Sequence, residues 1–129
     1  GKEEVKDAAR GEEIVAAMGV ADVGQACIVA RRQALAIEAM PGTDWMLASL
    51  KDTRDGLPEG GLLFKAPKPG QDRRVDLPAI GPETILAAAE AGLRGIVIEA
   101  GGVMLLDRAE AIAAADSAGL FLWVRPKGG

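Results

Sequence analysis

The sequence predicts a single α/β domain in which helices flank a mixed β-sheet. Three observations carry that prediction. Ile96, Val97 and Ile98 form a continuous β-branched run, which is typical of a strand buried on both faces. Apolar residues recur at helical spacing between positions 5 and 18. Gly81 followed by Pro82 marks the start of a second helix, because proline is favoured in a first turn.

The remaining elements follow from short apolar runs and turn residues. The first helix is expected to break at Gly11 and to end at Gly19. Thr43 or Asp44 is expected to cap a short helix that reaches Leu50. The other expected elements are a hairpin formed by 26–30 and 34–39, strands at 62–64, 103–106 and 120–124, and helices at 82–92 and 107–118.

Composition excludes several functional classes. The 129 residues correspond to one ordinary domain, with no histidine and one cysteine, Cys27. A histidine-dependent nucleophile, a His-ligated zinc site and a thiolate cluster are therefore excluded, and any catalysis must use carboxylates, lysine, hydroxyls, backbone amides or a cation such as Mg²⁺. The net charge of −4 argues against nucleic acid as a partner. No apolar run is long enough to span a bilayer, and an unpaired, apolar-flanked Cys27 fits a reducing compartment.

The strongest candidate site is the stretch 65–76, where four cations and two carboxylates give a local charge of +2. Lysine, arginine and an exposed glycine backbone together can surround an anion, and phosphate is the expected guest. The alternative is a solvated, proline-rich surface loop whose ion pairs contribute little. The candidate ligand-binding residues in this stretch are Lys65, Lys68, Gly70, Gln71 and Arg74.

Asp72 and Asp76 are the candidate catalytic residues of the same stretch. Either carboxylate could hold a divalent cation or orient water. Without histidine, a metal that neutralises phosphate charge and helps to generate hydroxide would supply what phosphoric-anhydride cleavage requires.

Three further groups are weaker candidates. Asp22 and Gln25 offer an acid and an amide beside Gly24, although a turn in which Asp22 bonds its own backbone is the simpler interpretation. Thr43 and Asp44 follow a strand and precede a helix, where free amides can bind phosphate or the side chains can simply cap.

Glu99 ends the strand that contains Ile98, and ligands of open α/β sheets prefer that end of a strand. It is therefore a candidate ligand or base. Asp107 is better explained by a capping box with Glu110.

Taken in order, several motifs resemble the C-terminal domain of the LpxI family of UDP-2,3-diacylglucosamine pyrophosphatases. They are Asp22-Val-Gly-Gln25, Gly42-Thr-Asp44, Lys68-Pro-Gly-Gln-Asp72, Arg74-Val-Asp76-Leu-Pro78, Ile80-Gly81, Glu99-Ala-Gly101 and Leu106-Asp-Arg108. Each is weak alone, but their order and spacing are jointly specific, and the resemblance covers nearly all of residues 1–129. It implies a metal-dependent hydrolase of lipid A biosynthesis in Gram-negative bacteria that converts UDP-2,3-diacylglucosamine to UMP and 2,3-diacylglucosamine 1-phosphate, called lipid X.

The resemblance also implies roles for individual residues. Asp72 and Asp76 would bind Mg²⁺ or Mn²⁺ or activate water, with Asp72 the first choice. Lys68, Gln71 and Arg74 would hold the diphosphate, with the residues at 22, 25, 43 and 44 nearby. One departure is Pro41, where the family commonly has an acidic residue, so that no ligand role is expected at that position.

The resemblance implies partners as well. The family carries an N-terminal nucleotide-fold domain before this region, so the chain is expected to be a fragment that alone need not turn over substrate. A cytoplasmic location, peripheral at the inner membrane, is expected from the acylated substrate. A membrane-surface partner and a homodimer are left open. Two alternatives to an enzyme part are a non-catalytic module that binds a phosphorylated lipid and a purely structural assembly domain.

Overall fold

Four helices and seven strands alternate along the part of the chain that the structure, a computed structural model, describes: residues 1–68 and 77–129. In chain order the elements are α1 (Lys2–Val20), β1 (Ala26–Ala30), β2 (Gln33–Ile37), α2 (Thr43–Asp52), β3 (Leu62–Lys65), β4 (Ala79–Ile80), α3 (Pro82–Glu90), β5 (Gly95–Glu99), β6 (Met104–Leu105), α4 (Arg108–Ala118) and β7 (Phe121–Arg125).

Five of the strands form one mixed sheet in the order β2-β1-β3-β5-β7. The strand β1 pairs antiparallel with both β2 and β3, whereas β3, β5 and β7 run parallel to one another. The predicted fold class, a mixed sheet flanked by helices, is therefore confirmed.

The two faces of this sheet bury different residues because side chains alternate along each strand. On one face Ile28, Leu63 and Ile96 pack in a core with residues of α2, α3 and α4. On the other face Phe64 and Val97 pack with residues of α1. One face thus carries three helices and the other carries one long helix.

Charged side chains collect where the parallel strands end. Lys65, Glu99 and Arg125 are the last residues of β3, β5 and β7, and all three are buried. Alternation places Lys65 on the same face as Leu63, the three-helix face, and the other two on the α1 face. The ends of parallel strands lie at one sheet edge, so this edge is where polar chemistry is concentrated.

The expected break in α1 at Gly11 is wrong. The helix runs without interruption from Lys2 to Val20. Gly11 is buried against β3, and a Cβ there would lie 2.7 Å from the Cβ of Phe64. The glycine therefore permits close helix–sheet packing rather than interrupting the helix.

The expected strand 103–106 is shorter than predicted and lies outside the main sheet. Only Met104–Leu105 is extended, and it pairs in parallel with Ala79–Ile80 to form a separate two-stranded sheet. The sequence pattern had no signal for β4, which has only two residues. This small sheet brings Ala79 beside the end of β3, where Lys65 lies.

Within the described ranges, no helix combines the length and the apolar character that a membrane crossing requires.

Candidate functional site

The candidate site is an open depression of about 340 Å³ at the edge where β3 ends. Five segments meet there: the residues after β2, the first turn of α2, the end of β3, the strand β4 and the first turn of α3. Its lining residues are Glu38, Pro41, Gly42, Thr43, Asp44, Lys65, Ala79 and Thr84.

Lys65 is the buried cation of this depression, with 9% of its surface exposed. Its Nζ atom donates to the hydroxyl oxygen of Thr43 at 3.2 Å and to the carbonyl oxygen of Ala79 at 3.2 Å. Burial lowers the pKa of Lys65, and the nearby carboxylates of Glu38 and Asp44 act in the opposite direction, because they favour the charged form. An ammonium has three donors, so one N–H remains for a ligand after these two bonds to described residues.

Glu38 orients Thr43, whose hydroxyl oxygen accepts the hydrogen bond from Lys65. One of its carboxylate oxygens accepts the backbone N–H of Gln25 at 2.7 Å, and the other accepts the hydroxyl of Thr43. Thr43 can therefore present its lone pair to Lys65, since its proton is directed to Glu38. The carboxylate ties the beginning of β1 to the beginning of α2 around the lysine.

Sequence reasoning missed Glu38. It lies in an otherwise apolar run directly before Met40-Pro41-Gly42, and that run was interpreted as strand. A usable signal was present, because β2 ends at Ile37 and an acid just past a strand end faces the sheet edge.

The interpretation of Thr43 and Asp44 as helix caps is wrong. The N-cap of α2 is Gly42, with φ 98°, and no side chain of the described residues caps the helix. Thr43 bonds Glu38 instead, and Asp44 accepts the hydroxyl of Thr84 at 3.2 Å across to α3. Both residues line the depression, as their choice as candidate ligand-binding residues requires.

Neither Asp22 nor Gln25 lines the depression, but Gln25 is bonded to Glu38, which does. The carboxylate of Asp22 accepts the ammonium of Lys68 at 2.6 Å, and this hydrogen bond lowers the pKa of Asp22. The side-chain oxygen of Gln25 is buried and accepts no hydrogen bond from a described residue, while its backbone N–H donates to Glu38. The side chain of Asp22 therefore pairs with a cation of the candidate stretch rather than with its own backbone.

Glu99 does not line the depression. It ends β5 in register with Arg125, on the α1 face by strand alternation. It shares the sheet edge with Lys65 but not the face, so the structure does not bring these two candidates together.

The capping box expected at Asp107 does not form. Asp107 is the N-cap of α4 in the left-handed region, with φ 48°, and makes no side-chain cap bond to the helix. The left-handed backbone conformation differs from the extended one that a capping side chain usually has.

Five predicted site residues fall outside the described residues: Gly70, Gln71, Asp72, Arg74 and Asp76. Their roles stay predictions. Of the described residues on either side of them, Ala79 lines the depression and bonds Lys65, whereas Lys68 bonds Asp22, and neither of these two lines it.

The described residues alone do not fit a metal ion. Within 1–68 and 77–129, no three or more acidic, cysteine or histidine side chains form a group that could hold one. Both oxygens of Glu38 already accept hydrogen bonds, and Asp44 accepts one from Thr84. A set of metal ligands at this depression would therefore need the carboxylates of Asp72 and Asp76.

Cys27 has no role in this chemistry. It is buried on the α1 face, and burial raises the pKa of its thiol to about 12. The reactive thiolate is therefore suppressed at neutral pH.

Comparison with known proteins decides the family. The family model described as the LpxI C-terminal domain matches residues 1–123. The chain belongs to the LpxI family. The UDP-2,3-diacylglucosamine pyrophosphatase LpxI of Caulobacter vibrioides is 45% identical to this chain over an alignment that covers 93% of the chain and 45% of the relative. The chain thus spans less than half the length of that LpxI protein.

Proposed function

We propose that this chain is the diphosphate-binding part of a UDP-2,3-diacylglucosamine pyrophosphatase. In the proposed reaction water adds to one phosphorus, the P–O–P bond breaks, and UMP and 2,3-diacylglucosamine 1-phosphate leave. Membership of the LpxI family and the name of the Caulobacter relative support the substrate. The single structural observation that carries the proposal is the buried Lys65 ammonium at an open depression.

The geometry around Lys65 suits an anionic ligand. The ammonium is already oriented by Thr43 and Ala79, so binding an oxyanion requires little further ordering of the side chain. The first turns of α2 and α3 both border the depression, and helix N-termini favour negative charge. Lys65 would bind a diphosphate oxygen, with Glu38 and Thr43 holding it in position.

The carboxylates at 72 and 76 complete the proposal. We assign them to water activation and to binding Mg²⁺ or Mn²⁺, as the family resemblance implies. Such a cation would neutralise diphosphate charge when bound. Lys68, Gly70, Gln71 and Arg74 would contact the same diphosphate, and the ammonium of Lys68 would then have to leave its bond to Asp22 or share it.

A non-catalytic phosphate-binding module is the second candidate function. One observation favours it: both oxygens of Glu38 already accept hydrogen bonds, and one oxygen of Asp44 accepts the hydroxyl of Thr84. Among the described residues of the depression, only the second oxygen of Asp44 is then left to act as a general base. Catalysis would otherwise depend on Asp72 or Asp76.

The decisive experiment measures UMP release from UDP-2,3-diacylglucosamine with Mg²⁺, with Mn²⁺ and with a chelator. The assay uses this chain and a longer LpxI protein that carries the same 129 residues. Asp72→Ala is expected to lower turnover by about 10²-fold or more while substrate still binds, because a positioned acid–base or metal-binding group is lost.

The matched control is Asp55→Ala, which removes an exposed aspartate between α2 and β3. Near-normal turnover by Asp72→Ala in the longer protein would refute the catalytic assignment. Substrate binding with no hydrolysis by any form of the protein would favour the binding module instead.

A location at the cytoplasmic membrane surface belongs to the same proposal, because a diacylated substrate resides in a bilayer. Co-sedimentation of the protein with vesicles that contain the substrate, compared with vesicles that lack it, tests whether the lipid recruits the protein.

A further inference from the structure

A second surface lies on the three-helix face of the sheet, between α4 and the last strand. It is a groove of about 300 Å³ whose apolar lining includes Leu105, Ile112, Leu122 and Val124. Ile112 is 39% exposed and Val124 is 48% exposed. The strand β7 is at the end of the sheet order, so this groove borders a sheet edge.

Two opposite charges lie in the same groove, symmetrically placed about Ile112. Arg108 precedes it by four residues and Asp116 follows it by four, and all three line the groove. Residues at this spacing form one ridge along a helix. Arg108 and Asp116 are about 12 Å apart along the axis, at a rise of 1.5 Å per residue, which is too far for them to pair within α4.

Neither charge is neutralised by a residue of 1–68 or 77–129. No described residue forms an ion pair with Arg108 or with Asp116, and both side chains are exposed. The surface therefore presents an apolar centre with an unpaired cation on one side and an unpaired anion on the other. That pattern is its own complement when it is rotated by 180°.

We propose that this groove binds a second copy of the chain in an isologous homodimer. A two-fold axis through Ile112 would place the two copies of that side chain in contact and cross the two α4 helices in opposite directions. Arg108 of each copy would then meet Asp116 of the other, giving two equivalent ion pairs. An unrelated partner would need its own matching pattern of charge and apolar surface, whereas a second copy carries it already.

The proposal is independent of the proposed function, since the groove lies apart from the residues around Lys65 and requires no catalysis. Its test is a charge exchange measured by analytical ultracentrifugation. Arg108→Asp alone and Asp116→Arg alone each create two like-charge contacts in the dimer. Each is expected to raise the dissociation constant at least about tenfold.

Mixing the two variants in equal amounts gives the deciding measurement. In the mixed dimer, Asp at 108 faces Arg at 116 on one side, and the native pair forms on the other. Association is expected to return to within about threefold of the unsubstituted chain. Arg31→Asp makes the same charge change on an exposed turn, and it should leave the dissociation constant unaltered.

Three outcomes would overturn the proposal: an unsubstituted chain that is monomeric at about 100 µM, a mixture that associates no better than either variant, and single variants that associate normally. Ile112→Asp provides a second check, because it places two carboxylates on the axis and should abolish association. Circular dichroism of each variant verifies that the fold is retained.

Discussion

The two faces of the sheet each bury a cation near the same edge, but they treat it differently. On the three-helix face, Lys65 donates to two neutral oxygens and borders an open depression. On the α1 face, Arg125 is 6% exposed, pairs with Glu12 at 3.3 Å and lies over the ring of Trp123 at 5.9 Å. A buried charge that is already paired stabilises the fold, whereas one with a donor to spare is suited to a ligand.

Replacement of Lys65 is expected to show the largest difference between the two faces, because it should affect function far more than stability. Lys65→Met is expected to lower UMP release, and the affinity for pyrophosphate, by about a hundredfold, because a preorganised cation is removed from the anion. The free energy of unfolding should change by only about 1 kcal/mol, since Met occupies similar space without the cost of burying a charge.

The measurements are turnover in the longer protein, calorimetric titration with pyrophosphate, and urea unfolding. Lys51→Met is the matched control, because Lys51 pairs with Glu90 on the surface at 3.1 Å. Full activity of Lys65→Met would show that the lysine is structural, as Arg125 is.

Replacing Arg125 should produce the opposite result. Arg125→Met leaves the carboxylate of Glu12, which is 27% exposed, without its buried cation. We expect a loss of about 2 kcal/mol in the free energy of unfolding, which is less than for a fully buried pair because solvent reaches Glu12.

Urea unfolding measures this loss, and pyrophosphate affinity should stay unaltered once the variant is folded. Arg32→Met is the control, since its ion pair with Glu3 at 2.9 Å is largely exposed. Equal stabilities for these two arginine variants would contradict the distinction between the faces.

Gly11 tests how tightly the α1 face is packed. Gly11→Ala adds a Cβ 2.7 Å from that of Phe64, and we expect a net destabilisation of about 1–2 kcal/mol, because the packing clash outweighs the helix propensity of alanine. Thermal unfolding gives the value. Phe64→Leu in the same background should recover part of the loss by making room, and an additive effect of the two changes would count against this contact.

The smallest expected effect concerns the ion pair between Lys68 and Asp22. The hydrogen bond from Lys68 lowers the pKa of Asp22, so the charged carboxylate is favoured in the folded chain. Its contribution to stability is present above the unfolded pKa and is lost as pH falls through the folded pKa. Lys68→Ala should raise the pKa of Asp22 towards its usual range, as measured by NMR titration of its carboxyl carbon. An unaltered titration would show that the contact is absent in solution.

Sequence reasoning predicted the scaffold well because strong local patterns and the fold agree. The run from Ile96 to Ile98 became the centre of β5, and Pro82 begins α3 as expected. Gly11 was misinterpreted because a glycine needed for close packing and a glycine that ends a helix look the same in sequence.

The candidate site could be predicted only in part. The family resemblance implied that Thr43 and Asp44 lie near the candidate stretch, and both line the depression together with Lys65, since strand ends and helix starts converge at a sheet edge. Glu38 was missed because its role arises from bonds to Gln25 and Thr43 that only the fold creates. Glu99 was placed at the right edge, but spacing alone did not reveal that odd and even positions of parallel strands face opposite cores.

The attachment of residues 68 and 79 to Asp22 and Lys65 has a consequence for how this domain can vary. Asp22 bonds Lys68 and Lys65 bonds Ala79, so described residues on both sides of positions 69–76 are bonded to the framework. Substitutions within 69–76 should therefore change ligand binding, and the melting temperatures of the same variants would show whether their side chains also support the fold.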